Sequence, residues 1–344
     1  MTRATAALPW ALAALTAALV AALLLAFGHD PLAAAAVVLR STFGSAENAF
    51  VTLVKATPLL LLGTGVALAF RAGVWNVGAD GQFVAGALAA TAVGVAMSGV
   101  PAPIALPLVL AAGAGGGALA ALPPALLRRF RGTSEVIGSI MMNFVVGFFL
   151  SFALDGPLRE AAGTFPQSDY LPPPATVPRF DEASRLHLGL PIAVAIAIAV
   201  HLFLARTLAG LRLRAAGENA AAAETIGIPV RRTAFLAMTV SGAVAGLAGA
   251  IEVGAITRRL FDGFSGGIGY TAIAVALLGR LSIPGVALAA LFFGALDVGA
   301  ASLERVAHVP SKLALVVQAL LLGASALLAE RHRRAVRERA EAAA

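Results

Sequence analysis

Residues 81–127 read GQFVAGALAATAVGVAMSGVPAPIALPLVLAAGAGGGALAALPPALL, a run without Asp, Glu, Lys or Arg that carries Pro101-Ala102-Pro103 near its middle. A helix needs about 20 mostly apolar residues to cross a bilayer, so this run holds two crossings with the prolines as the turn between them. Working outward, further stretches free of those four residue types cover 4–29, 56–70, 136–154, 186–205, 233–251, 263–279, 281–296 and 313–329. The spacing predicts ten helices, at about 7–27, 51–70, 82–99, 104–126, 136–154, 189–208, 234–254, 268–279, 282–300 and 311–329. The eighth is short for a full crossing and reads as a re-entrant segment. The fold class is therefore all-α, a polytopic transmembrane helical bundle of about ten spans.

Composition agrees. The 344 residues are 59% apolar and 12% charged, about half the charge of an average soluble protein. So few charges cannot cover a globule of this size, and the apolar excess must face lipid. The net charge of +7 is carried almost wholly by arginine, Lys occurring only at Lys55 and Lys312. No continuous basic face suits nucleic acid, which is excluded as a partner. The chain has no cysteine, and its five histidines are scattered, so no metal site and no cofactor are expected. Neither lysine sits in a G-K-[ST] string, which excludes ATP binding through a Walker motif.

The first apolar run is longer than a signal-peptide core and reads as an uncleaved anchor. Arginines collect at Arg128, Arg129, Arg131, Arg206, Arg212, Arg214, Arg231, Arg232 and Arg331 to Arg339, whereas 155–188 is rich in proline and acidic residues. The positive-inside rule then puts 206–233 and both termini in the cytoplasm and 155–188 outside. A weak internal echo, a Gly-rich break followed by a short apolar helix and a proline turn, occurs at 73–103 and again at 263–284. Its two copies start five spans apart, which is consistent with an inverted repeat of broken helices.

The densest polar cluster within apolar sequence is Arg71-Ala-Gly-Val-Trp-Asn76-Val-Gly78-Ala-Asp80-Gly81-Gln82. By itself it reads equally as a turn between spans or as non-helical backbone at a cavity. The string resembles the G-[LIV]-[FW]-N-[IV]-G-x-[ED]-G-Q signature of permease subunits of bacterial ABC importers for simple sugars, nucleosides and branched-chain amino acids. Residues 132–143 resemble the N-E-V-I-x-x-I-M-x-N segment of that family, with Ser134 where Asn is usual. Residues 217–228 resemble its G-x-N-x-x-A-A-x-x-x-G-I loop, and 241–250 and 274–279 are similar to two further blocks. The likeness covers roughly 55–300 and is strongest to the nucleoside and simple-sugar branch.

The resemblance implies one permease domain over 1–330 with a basic cytoplasmic tail at 331–344, in the inner membrane. It implies three protein partners: an ABC ATPase, a second permease subunit of the same or a different chain, and an extracytoplasmic solute-binding protein. Loop 206–233, which alone reads as a solvated basic loop with a short helix, becomes a coupling loop. Gly217, Glu218, Asn219, Ala222, Ala223, Glu224, Thr225 and Gly227 would contact the ATPase.

Asn76, Gln82, Asn143 and Ser241 are neutral hydrogen-bonding groups in apolar surroundings and, with Asp80, are the expected lining of the solute pathway. Such groups suit an uncharged, polyhydroxylated solute. Glu252 and Asp297 lie near span ends, where snorkelling to water explains them. His201 and Gln318 read as interhelical hydrogen-bonding groups. Gly263-Phe-Ser265-Gly-Gly267 matches a serine-protease string, but the only downstream histidine before the tail is His308, in a loop-like context, and a Gly/Ser turn is the better reading. No catalytic residue is expected and the chain is not read as an enzyme. The alternatives are a secondary transporter, which would need mid-span carboxylate pairs the sequence lacks, and a rhomboid-like intramembrane protease.

Overall fold

The computed structural model describes residues 18–22, 24–307 and 316, so the expected last span, His308, Gln318 and the basic tail lie outside the described residues, as does much of the first span. The described regular structure is helical, with two isolated β-bridges, Gln167 to Phe261 and Arg179 to His187. The helices are α1 (Pro31–Phe43), α2 (Ala46–Arg71), α3 (Ala79–Gly94), α4 (Ala102–Arg131), α5 (Glu135–Asp155), α6 (Gly189–Arg206), α7 (Leu208–Glu218), α8 (Ala220–Thr225), α9 (Val230–Glu252), α10 (Ile268–Leu278) and α11 (Ile283–Ala307). Among the described residues, seven helical stretches are long and apolar enough to cross a membrane, and each coincides with an expected span. The expected short eighth helix is α10, whose 11 residues reach about 17 Å, less than a hydrocarbon core of about 30 Å.

Helix α1 was not expected, because its apolar run is short and interrupted by Arg40. It forms because Asp30 accepts the Leu32 N–H at 2.9 Å and Pro31 sits in the first turn, where a missing N–H costs nothing. The stretch 18–26 and α1 are bent by 111° and together are apolar enough for one more span. Helix α2 starts five residues earlier than expected, where Ser45 Oγ accepts the Asn48 N–H at 3.1 Å.

The chain divides into two compact units. In the unit built from residues up to 52 and from 292 onward, Thr42 Oγ1 donates to Ala295 O at 3.4 Å, and a Cβ on Gly299 would press on Val38 at 2.7 Å. The other unit, Leu53–Leu291, has at its centre α2, with Leu59, Leu61, Leu62 and Val66 buried, and the trio α3, α4 and α9.

The trio packs backbone to backbone through small residues. A Cβ on Gly117 would lie 2.6 Å from Gly246 Cα, and one on Gly242 would lie 2.6 Å from Gly117 O. Close approach of this kind replaces hydrophobic driving force between helices in lipid. Helices α5 and α6 turn large apolar side chains outward instead, with Phe144, Phe148 and Phe152 on one and Ile198 and Leu202 on the other.

Two connections mark opposite ends of α9. Beyond its C-terminal end, which continues as a π-helical turn at Val253–Thr257, residues 156–188 lie along the chain that follows. Ser168 N donates to Leu260 O at 2.8 Å, Leu171 N to Arg258 O at 2.8 Å, and Val177 N to Gly254 O at 3.1 Å. At the N-terminal end stand α7 and α8, two helices where one was expected. Asn219 breaks them, and its Oδ1 caps the second by accepting Ala222 N–H at 3.0 Å.

Candidate functional site

The chain between α2 and α3 leaves helical geometry at Gly73, whose φ is +70°, and brings Asn76 into the protein interior. Asn76 Nδ2 donates to Gln82 Oε1 and to Ser241 Oγ, both at 2.8 Å, and Gln82 Nε2 returns a bond to Asn76 Oδ1 at 3.0 Å. The Gly78 N–H also donates to Asn76 Oδ1, at 3.1 Å. Asn76, Gln82 and Ser241 are 0%, 1% and 1% exposed, so their polar groups are taken up by one another. They tie the break to α3 and α9.

Asn143 on α5 completes the frame of this break. Its Oδ1 accepts the Gly81 N–H at 2.9 Å, while Nδ2 donates to Val77 O and to the Tyr270 hydroxyl, both at 3.1 Å. Trp75 N donates to the Glu135 carboxylate at 3.1 Å, and Glu135 pairs with Arg128.

Asp80 works on the other side. Its Oδ2 accepts from Ser265 Oγ at 2.9 Å and its Oδ1 from Gly269 N–H at 3.0 Å. The first turns of α3 and α10 therefore meet. A Cβ on Gly269 would lie 2.6 Å from the Asp80 Cβ, so only glycine allows the approach. Each helix N-terminus carries a partial positive charge, and one carboxylate sits between the two. The 73–103 and 263–284 segments are thus in contact at the starts of their helices.

A cleft of about 270 Å³ opens beside this junction, lined among others by Asp80, Asn143, Ser151, Asp262, Ser265 and Phe148. Ser151 Oγ donates to Asp262 Oδ1 at 3.2 Å, and Phe264, which also lines the cleft, stacks on Phe83 at 5.3 Å between ring centroids. Of the five expected pathway residues, Asp80 and Asn143 reach this cleft, whereas Asn76, Gln82 and Ser241 form the interior lock. Sequence reasoning missed Ser151 and Asp262, and read Ser265 only as part of a turn. Asp262 follows a π-helical turn that no local pattern announces, and nothing in sequence pairs residue 80 with residue 269.

In the expected coupling loop, Gly217 and Gly227 lie at the ends of α7 and α8, with Gly227 at φ +81°. Glu218, Asn219, Ala222, Glu224 and Thr225 are exposed, but Ala223 is 2% exposed and packs with Ala216 and Ile228. Among the described residues no group of three His, Asp or Glu could hold a metal. His201 is exposed on α6.

Beyond the membrane spans, His187 is 1% exposed. Its Nδ1 accepts the Gly189 N–H at 3.1 Å, and its Nε2 has no partner among the described residues. Burial, aided by the nearby Arg179 guanidinium, lowers its pKa from 6.5 to about 4.

Residues 48–326, which contain the lock, the junction of α3 with α10 and the cleft, match the family described as branched-chain amino acid transport system / permease component. The chain belongs to this permease family. It is 37% identical to the glucose ABC transporter permease protein TsgB13 of Haloferax volcanii, over 87% of this chain and 81% of that one. It is 34% identical to the guanosine ABC transporter permease protein NupP of Bacillus subtilis, over 88% and 87%. With the nucleoside ABC transporter permease protein NupB of Lactococcus lactis it shares 32% identity, over 88% and 85%. The chain is therefore a multi-pass membrane permease subunit of an ABC importer, working with an ATPase and a binding protein. A permease moves its solute without transforming it, which removes the protease reading. Ser265 fits that conclusion, since its hydroxyl donates to a carboxylate.

Proposed function

We propose that this permease carries an uncharged polyhydroxylated solute, a nucleoside or simple sugar, and that the cleft beside Asp80 is a station on its path. The observation that carries the reading is the lining of that cleft. Asp80, Asp262, Asn143, Ser151 and Ser265 supply acceptors and hydroxyls for ring hydroxyl groups, and aromatic faces from Phe144, Phe148 and Phe264 suit a sugar or base ring. No Lys or Arg is among the described lining residues, so the carboxylate of an amino acid would meet two carboxylates and no cation from them. The family description names branched-chain amino acids, but the relatives cited above are named for glucose, guanosine and nucleosides.

Asn76, Gln82 and Ser241 would act on the path indirectly, by holding the start of α3 that presents Asp80. A second permease, of the same or a different chain, would complete the pathway. The α7–α8 hairpin would dock on the ATPase through Glu218, Asn219, Ala222, Glu224 and Thr225, with Gly217, Ala223 and Gly227 shaping it. That end and both termini would be cytoplasmic, as the arginine distribution argues, in the inner membrane. The family match runs through both compact units, which supports 1–330 as one permease domain before the basic 331–344 tail.

Uptake by the whole transporter in proteoliposomes supplied with ATP and its binding protein tests this reading. ATP-dependent accumulation of a nucleoside or glucose is expected. Accumulation of leucine with none of either would refute the solute assignment.

A further inference from the structure

At the end of the molecule that carries α7, a second, smaller cavity of about 150 Å³ opens between the last turns of α2 and α6, helix α7 and the turn before α11. Its polar lining is Arg71, His201, Arg214 and Ser282, and no acidic residue among the described ones lines it. Arg71 Nε donates to Leu281 O at 3.0 Å, which occupies one of the five guanidinium N–H groups. Arg214 Nε is buried without a hydrogen-bond partner among the described residues. None of Arg71, Arg206, Arg212, Arg214 and Arg280 forms an ion pair with a described carboxylate. Two partly buried guanidinium groups thus share a cavity with no counter-charge among the described residues. Inward-facing positive groups left unpaired are costly in such a place.

We propose that Arg71 and Arg214, with His201 and Ser282 at the rim, hold the phosphate group of an anionic phospholipid. A planar guanidinium fork matches phosphate oxygens bidentately, and the small cavity admits a single tetrahedral oxyanion. A nucleotide would not fit. The lipid as source follows from the neighbours of the site. On α6, Ile198 and Leu202 are 53% and 47% exposed, and His201 is exposed between them, so the cavity mouth adjoins the acyl-facing surface. Arg71 and Arg206 close spans α2 and α6, which sets the site at headgroup depth. Basic pockets between helices at that depth are suited to lipid phosphates.

The whole chain, purified in neutral detergent, would be titrated with phosphatidylglycerol, with uncharged diacylglycerol and with inorganic phosphate. Thermal unfolding and lipid retention in native mass spectra would be the two readouts. Wild type should retain phosphatidylglycerol and gain several degrees, with no gain from diacylglycerol. Arg214→Gln should weaken that binding at least tenfold and Arg214→Lys less, while Arg131→Gln, an exposed arginine at the end of α4, should leave it unchanged. Arg71→Gln also loses the Leu281 bond, so the Arg214 pair decides. The full gain appearing with inorganic phosphate alone would overturn the lipid source and leave a soluble phosphate as occupant. Equal phosphatidylglycerol binding by wild type and Arg214→Gln would overturn the site.

Discussion

The Asp80 carboxylate accepts the Gly269 N–H at 3.0 Å, a bond between residues 189 apart in sequence that locks the start of α3 to the start of α10. Its second oxygen takes the Ser265 hydroxyl at 2.9 Å. One negative charge therefore faces two helix N-termini that would otherwise repel each other. The candidate solute cleft opens beside this bond, so the geometry that joins the two helix starts also shapes the place where a solute would rest.

Asp80→Asn should loosen that junction. The amide retains one acceptor oxygen and loses the charge, and hydrogen bonds to a charged group contribute about 1.5–3 kcal/mol. Thermal unfolding in detergent should show a loss of about that size. Transport should fall further, because the cleft loses an acceptor as well as rigidity. Unchanged stability together with unchanged uptake would contradict both roles.

Asn76→Ala should behave as a folding defect. It leaves Gln82 and Ser241 buried without partners, each costing about 1–3 kcal/mol, so the purified yield and unfolding temperature should drop. In whatever protein survives, the KM for the solute should stay near the wild-type value. A changed KM at normal stability would instead put Asn76 in direct contact with solute.

Gly246→Ala is expected to separate α4 from α9. A Cβ there would lie 2.7 Å from both Gly117 Cα and Gly117 N, and overpacking of this kind costs about 1–3 kcal/mol or more. Size-exclusion profiles should broaden and the unfolding temperature should fall.

The hairpin at α7 and α8 offers a paired test. Ala222 is exposed and Ala223 is buried against Ala216 and Ile228. Ala222→Glu should leave the permease folded but unable to retain the ATPase. Ala223→Glu should unwind the hairpin itself, since a carboxylate would be forced into an apolar cluster. Co-purification of the ATPase together with protease sensitivity of 206–230 distinguishes the two outcomes.

His187 predicts acid sensitivity. Its folded pKa of about 4 lies below the unfolded value of 6.5, so between these values the unfolded chain binds the proton that the folded chain rejects. Stability is then full above about pH 6.5 and declines as pH falls toward 4, by about 3 kcal/mol in all. Unfolding temperatures from pH 7.5 to 5 should fall more steeply for wild type than for His187→Gln.

The sequence alone determined the solvent and the element type. Runs such as 81–127, with no Asp, Glu, Lys or Arg and no alternation of apolar and polar residues, suit lipid and suit helices rather than the short alternating strands of a barrel, because a helix bonds its backbone within itself. The family could also be read there, since Asn76, Asp80 and Gln82 stand in one short string. What each of them does could not. Asn76 and Gln82 turn inward onto Ser241, 165 residues from Asn76, while Asp80, two residues from Gln82, turns toward Ser265 and Gly269. Only the tertiary structure decided that division, because a helix start sends successive side chains to different faces and the partner on each face comes from a distant segment. The same holds for Ala223, which is indistinguishable from Ala222 in an alanine run until Ile228 folds over it. Local chemistry settled where the chain would sit, and long-range contacts chose which polar groups brace the interior and which line the cleft.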